Sequence, residues 1–155
     1  MTDTLTLSHA SSIVEESLRL ARENNMNPLT VVVLDAGGHL KAMQREDGCG
    51  ILRFDVAYGK AYGSLGMGVP SRLLGVLLAD RPSFLNALAA TADGRLIPVP
   101  GGVLIKNAAG AVIGAVGVTG DTSDKDEYCA IGGIKTVGLE AMPPEPVPDW
   151  AGSKP

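Results

Sequence analysis

The chain has 155 residues, 45% hydrophobic and 19% charged, with a formal net charge of −4. This suits one soluble globular domain and lacks the basic excess of a nucleic-acid binder. No apolar run approaches the roughly 18 residues that span a bilayer, and the N-terminus lacks a basic segment followed by an apolar one. The expectation is therefore a cytoplasmic protein with neither membrane nor nucleic acid as partner.

Ser8 to Asn25 places Ala10, Ile13, Val14, Leu18 and Ala21 at helical spacing with charged residues opposite, which predicts an amphipathic helix capped by Ser8. Leu29 to Leu34 is a β-branched run and reads as a buried strand. Asp35-Ala36-Gly37-Gly38 follows. With positive φ at both glycines it would return Leu40 to Gln44 antiparallel to the first strand. Ile51 to Met67 reads as a helix with an unusually small surface: Ala57, Gly59, Ala61, Gly63, Ser64 and Gly66. Each glycine costs that helix about 1 kcal/mol relative to alanine, so close approach of another element, a second copy or a flat ligand has to offset it. Two short helices follow, Ser71 to Asp80, capped by Ser71, and Pro82 to Thr91, with proline in its first turn.

Pro98 to Gly102 leads into a second hairpin, Val103 to Lys106 and Ala111 to Thr119, turned by Ala108-Ala109-Gly110. Its second strand sets Val112, Gly114, Val116 and Val118 on one face and Ile113, Ala115, Gly117 and Thr119 on the other. Both faces are small or apolar, so this strand is central and covered on both sides. Its glycines mark close approach of a backbone or a ligand. Asp124 to Glu140 reads as the last helix, capped by Ser123 or Asp124, with Asp126 and Glu127 in its first turn. The order predicts an α+β (α/β) fold, a mainly antiparallel sheet with helices on its faces. Residues 1–142 form one domain, and the proline-rich 143–155 form a tail running over the surface or to another subunit.

VVVLDAGGHLKAMQREDG, then YGKAY, then VPGGVLIKNAAGAVIGAVGVTGDTSDKDEYCAIGG together resemble the GlcG/HbpS family, also called haem-degrading or PduO-C-terminal-like. The match runs from Leu7 to Leu139. Its most specific part is Pro100-Gly101-Gly102, Gly110, the strand Val112 to Gly120 and Asp126-Glu127, with Thr119 where serine is common. Tyr62-Gly63-Ser64-Leu65-Gly66 departs from the family's usual threonine and alanines. The resemblance implies a profilin-like sheet of about five strands, self-association into dimers or octamers, and haem as a ligand in some members, with storage, sensing or degradation as the role. Others accompany catabolic genes.

Arg45, Asp47, Lys60, Thr119, Asp121 and Glu127 lie closest to these motifs. One reading gathers them round a pocket in which Arg45 and Lys60 receive carboxylates of haem or a small organic acid, beside Thr119, Tyr62 and free backbone N–H groups of Gly101 and Gly102. Lys60, Glu127 and Asp121 are then the candidate catalytic groups, with Glu127 or Asp121 as general base. The alternative pairs Arg45 with Asp47 or Glu127 and leaves Lys60 solvated. For haem iron, His39 and His9 are the only histidines, and Tyr58, Tyr62, Met67 and Cys49 are further candidates. Cys49 and Cys129 lack metal or redox spacing and read as reduced thiols. Ser64 lacks the nucleophile-elbow pattern and the glycines lack phosphate-loop spacing.

Overall fold

The computed structural model describes residues 4–155. Helix α1 (Leu7–Glu23) begins one residue before the expected start, and Thr6 caps it instead of Ser8, its hydroxyl accepting from the His9 N–H at 3.1 Å. Strands β1 (Thr30–Asp35) and β2 (Leu40–Arg45) form the first hairpin. Only Gly38 takes positive φ there, +81°. The Asp35 carboxylate holds the turn by accepting from the N–H groups of Gly37 and His39, both at 3.0 Å, so a second positive φ is not needed.

Helix α2 (Arg53–Met67) is followed by α3 (Ser71–Leu77) and α4 (Pro82–Thr91). Pro70, not Ser71, stands at the N-cap of α3. Strands β3 (Gly102–Lys106) and β4 (Val112–Thr119) form the second hairpin, and α5 (Ser123–Thr136) is capped by Thr122 rather than Ser123 or Asp124. That helix ends before Glu140, because Gly138 turns left-handed at φ +80°. Glu140–Met142 then adds a short strand, β5, whose first residue the sequence reading assigns to the helix.

The strands lie in the order β2-β1-β4-β3-β5, all antiparallel, so β4 is central as expected. On one face α1 and α5 cover Val31, Val33, Val103, Ile105, Val116 and Val118; on the other α2 covers Val32, Leu34, Leu104 and Ala115. Ile113 departs from strict alternation and joins the α1 side. The register slips between Ile105 and Lys106, and a bulge there shifts the alternation by one residue.

The proline-rich tail docks on its own domain. Trp150 stacks on Tyr128 of α5 with ring centroids 3.6 Å apart, Lys135 pairs with Glu145 at 2.6 Å, and the Thr122 and Ser153 hydroxyls meet. No helix among the described residues is long and apolar enough to cross a membrane.

Among the described residues, Ser17 on α1 holds the one buried side-chain oxygen without a hydrogen-bond partner, facing Gly133 of α5. An unsatisfied buried hydroxyl costs about 1–3 kcal/mol, and alanine is also the better helix former. Ser17→Ala should therefore raise the thermal midpoint, by roughly 1 kcal/mol in stability. A lowered midpoint would mean the hydroxyl is bonded.

Candidate functional site

The cationic centre of the expected pocket is inside the protein. Lys60 is 1% exposed, and its ammonium donates to the Val118 carbonyl at 2.9 Å and to Asp126 Oδ2 at 3.2 Å. Gly101, Gly102 and Gly117 of the sheet, with no side chain of their own, let α2 settle at Lys60 and Ala57 closely enough to bury a lysine. Burial pushes the Lys60 ammonium below its ordinary value, against the pull of Asp126. Asp126 is itself pushed up to about 6 by burial, with Lys60 and the Asp121 N–H opposing.

Glu127 is fully buried and accepts both arms of the Arg72 guanidinium, at 3.0 and 2.7 Å. Burial raises its pKa and Arg72 works the other way. Burial also pushes Asp121 upward, but N–H donation from Asn27 and Thr122 outweighs it and, with Lys125, holds the carboxyl below its usual range. Lys60, Glu127 and Asp121 thus sit at one end of the sheet in a network tying α2, α3 and α5 together. The Gly102 N–H donates to Ser71 Oγ at 2.7 Å, so it is not the free donor expected at a pocket rim. Gly101 is packed against Lys60.

Arg45 is exposed at the end of β2 and donates to the Cys49 carbonyl at 3.2 Å, pairing with neither Asp47 nor Glu127. Thr119 accepts from Arg53 at 2.8 Å, a residue the sequence reading passed over. Arg45, Thr30 and Thr119 are neighbours across the strands, so two guanidiniums without a carboxylate partner among the described residues flank this row.

Of the expected ligand residues, Tyr62 leads to an open surface. Phe54, Tyr58 and Tyr62 recur every fourth residue along α2 and form a row, with ring centroids 5.8 and then 5.9 Å apart, the second pair stacked. The Tyr58 hydroxyl donates to the Gly38 carbonyl at 2.9 Å and the Tyr62 ring packs on Gly38, so the β1–β2 turn fixes both rings. Beyond Tyr62, Gly63, Gly66 and Met67 form one wall of a cleft of about 210 Å³, and Leu88, Thr91, Ala92 and Leu96 form the other. Beside Phe54 and Tyr58 lies a second cavity of about 400 Å³, lined also by Asp55, Asp93, Gly94 and Arg95. The i, i+4, i+8 aromatic spacing was legible in the sequence; Arg95 and Leu96 enter from a distant loop with no such signal.

The histidines lie elsewhere. His9 is on α1, across the sheet from α2, and His39 is an exposed turn residue 3.4 Å from Asp35, lining a cavity with Leu5 and Ile113. Cys49 and Cys129 are buried free thiols, and no cluster of three or more metal-binding side chains occurs among the described residues.

A family model described as haem degrading protein HbpS-like matches residues 5–135. A protein of Citrobacter freundii, described as an uncharacterised 15.0 kDa protein in the dhaT-dhaS intergenic region, is 32% identical over 128 residues, covering 82% of this chain and 87% of its own. The crystal structure of HbpS superposes with a TM-score of 0.75 at 26% identity, covering 89% of this chain and 93% of the other. Klebsiella pneumoniae ORFY gives 0.77 at 27%, with 87% and 91% covered. The PduOC:haem complex shares the fold at a TM-score of 0.78 and 20% identity, with 88% and 96% covered.

Proposed function

Because this chain belongs to the HbpS-like family, which carries a haem-related role, we propose that it binds haem on the open face of α2. The observation that carries the placement is the stacked Tyr58–Tyr62 pair running into the glycine-walled cleft. A flat macrocycle needs a flat apolar wall, and a side chain at Gly66 would enter open space, so the helix there is bare. Tyr62 and Met67 line the cleft and are the side chains of ligating type within it. When bound, haem supplies a redox-active iron; the chain itself supplies the stacking wall, the cleft and the donors. An open site favours exchangeable storage or sensing over tight retention.

Haem titration followed in the Soret band tests this. The wild type should saturate, and Gly66→Leu, which fills the cleft, should lose at least tenfold in affinity without any fall in its thermal midpoint. Equal affinity in the two would remove haem from this face.

We further propose that the protein self-associates through α3 and α4. Val76 and Leu77 are 69% and 56% exposed and α4 has no buried residue, an apolar surface that water disfavours. Sedimentation should give a mass above the 15.9 kDa chain, and Val76→Asp with Leu77→Asp should lower it; a wild-type monomer contradicts the proposal.

A second reading is favoured by Arg45 and Arg53 flanking Thr119: binding of a small organic acid, with the guanidiniums as carboxylate receptors. In that reading the buried Lys60 organises the site without touching ligand. Calorimetric titration with small hydroxy and keto acids, on wild type and Arg45→Ala, decides it.

A further inference from the structure

The Arg95 guanidinium lies 4.0 Å over the Tyr62 ring centroid and 6.0 Å from that of Tyr58, and its Nε donates to the Ala92 carbonyl at 2.9 Å. It lines the larger cavity, beside Asp55 and Asp93, where the neighbouring cleft on Tyr62 begins. Two carboxylates line the same cavity, neither has an ion-pair partner among the described residues, and yet the guanidinium rests on an aromatic face. Taken singly, the two cavities are about 400 and 210 Å³. The larger alone falls within the roughly 300–1,000 Å³ range of small-molecule sites.

We propose that Arg95 is both the plug and the specificity residue of this trough: it occupies the Tyr62 face when the trough is empty, swings off when a planar ligand stacks there, and then holds that ligand's carboxylates. This rests on the haem reading above and names the ligand feature recognised, a flat tetrapyrrole with a carboxylate edge. Ring and guanidinium compete for one face, so they cannot both occupy it. The cation–π contact is weak enough to exchange, and a released guanidinium offers two parallel N–H groups to a carboxylate. Among the described residues, Arg95 is the only cationic one lining either cavity. Without it, Asp55 and Asp93 would face the ligand alone, and the sign of the selectivity would turn over.

The test uses the full chain with deuteroporphyrin IX and its dimethyl ester, two iron-free probes differing only in the carboxylates, read by porphyrin fluorescence. Wild type should bind the free acid about tenfold more tightly than the ester, the scale of one charge-assisted hydrogen bond. Arg95→Met should bind the ester at least as tightly as wild type, associate with it several-fold faster because the plug is gone, and prefer ester over acid. Adding Asp55→Asn and Asp93→Asn to Arg95→Met should erase that reversed preference. A free-acid preference that survives in Arg95→Met overturns the proposal while leaving porphyrin binding intact. Failure of the wild type to bind either probe overturns both this proposal and the haem reading.

Discussion

Gly117→Ala should strip the protein of a large part of its stability. A Cβ at this position would lie 1.9 Å from the Ala57 carbonyl oxygen of α2 and 2.8 Å from its carbon. Both are backbone atoms of a helix packed over the centre of the sheet, so no rotamer change relieves the clash. Overpacking against side chains costs about 1–3 kcal/mol. Moving a whole helix should exceed about 4 kcal/mol, a large part of the roughly 5–15 kcal/mol that holds a domain together. Gly102→Ala should behave alike, since its Cβ would meet the Lys60 carbonyl at 2.3 Å. Gly66→Ala is the control: nothing lies within 4 Å of its Cβ, and helix propensity predicts a gain of roughly 0.5–1 kcal/mol. Soluble yield and denaturant midpoints of the three variants check this; a Gly117→Ala protein as stable as wild type would mean that α2 does not seat on β4 this closely.

The second large effect is at the buried ion pair. Lys60→Met removes the ammonium paired with Asp126 and should cost about 3–5 kcal/mol at pH 7.5, the usual consequence of orphaning a buried charge. Lys60→Met with Asp126→Asn carries no charge at the site and should recover most of the loss, as a double-mutant cycle can measure. The same pair sets a pH dependence. The folded pKa of Asp126, about 6, lies above its ordinary 3.8, so the fold binds this proton more tightly than the unfolded chain does. Its contribution is fully present below about 3.8 and is lost as pH rises through about 6. The pKa difference sets an upper limit of roughly 3 kcal/mol. Glu127, also raised by burial, acts in the same direction. Asp121, lowered, acts in the opposite one, and its part fades on acidification. Melts from pH 4.5 to 7.5 should fall with rising pH in the wild type and flatten in Asp126→Asn. Equal slopes would show that Asp126 titrates as an ordinary surface carboxylate.

The legible part of this fold was periodicity. A strand small and apolar on both faces had to be central, and β4 is; a run of glycines had to mark a close approach, and Gly117 lies under α2. Features set by pairing across the chain were not legible. The bulge that turns Ile113 to the α1 side depends on register with β3, and β5 is three residues long with an exposed charge, below any periodic signal. Lys60 read as either a ligand cation or a solvated one, because no local pattern reports a counter-ion 66 residues away in Asp126. The same distance hid Arg53 on Thr119. The Gly101-Gly102 pair did carry part of the warning, since two residues without side chains let the backbone close over Lys60. The N-caps were misplaced by one or two residues for a simpler reason: Thr6 and Ser8, or Thr122 and Ser123, are chemically equivalent candidates, and the packing of the helix decides between them.

A crystal structure of the full chain grown with haem tests the central claim most directly. The account predicts macrocycle density against the Tyr58–Tyr62 rings and the Gly63–Gly66 wall, with Arg95 lifted from the Tyr62 face. Density centred on His9, on His39 or between Arg45 and Arg53, with the α2 face bare, would contradict it.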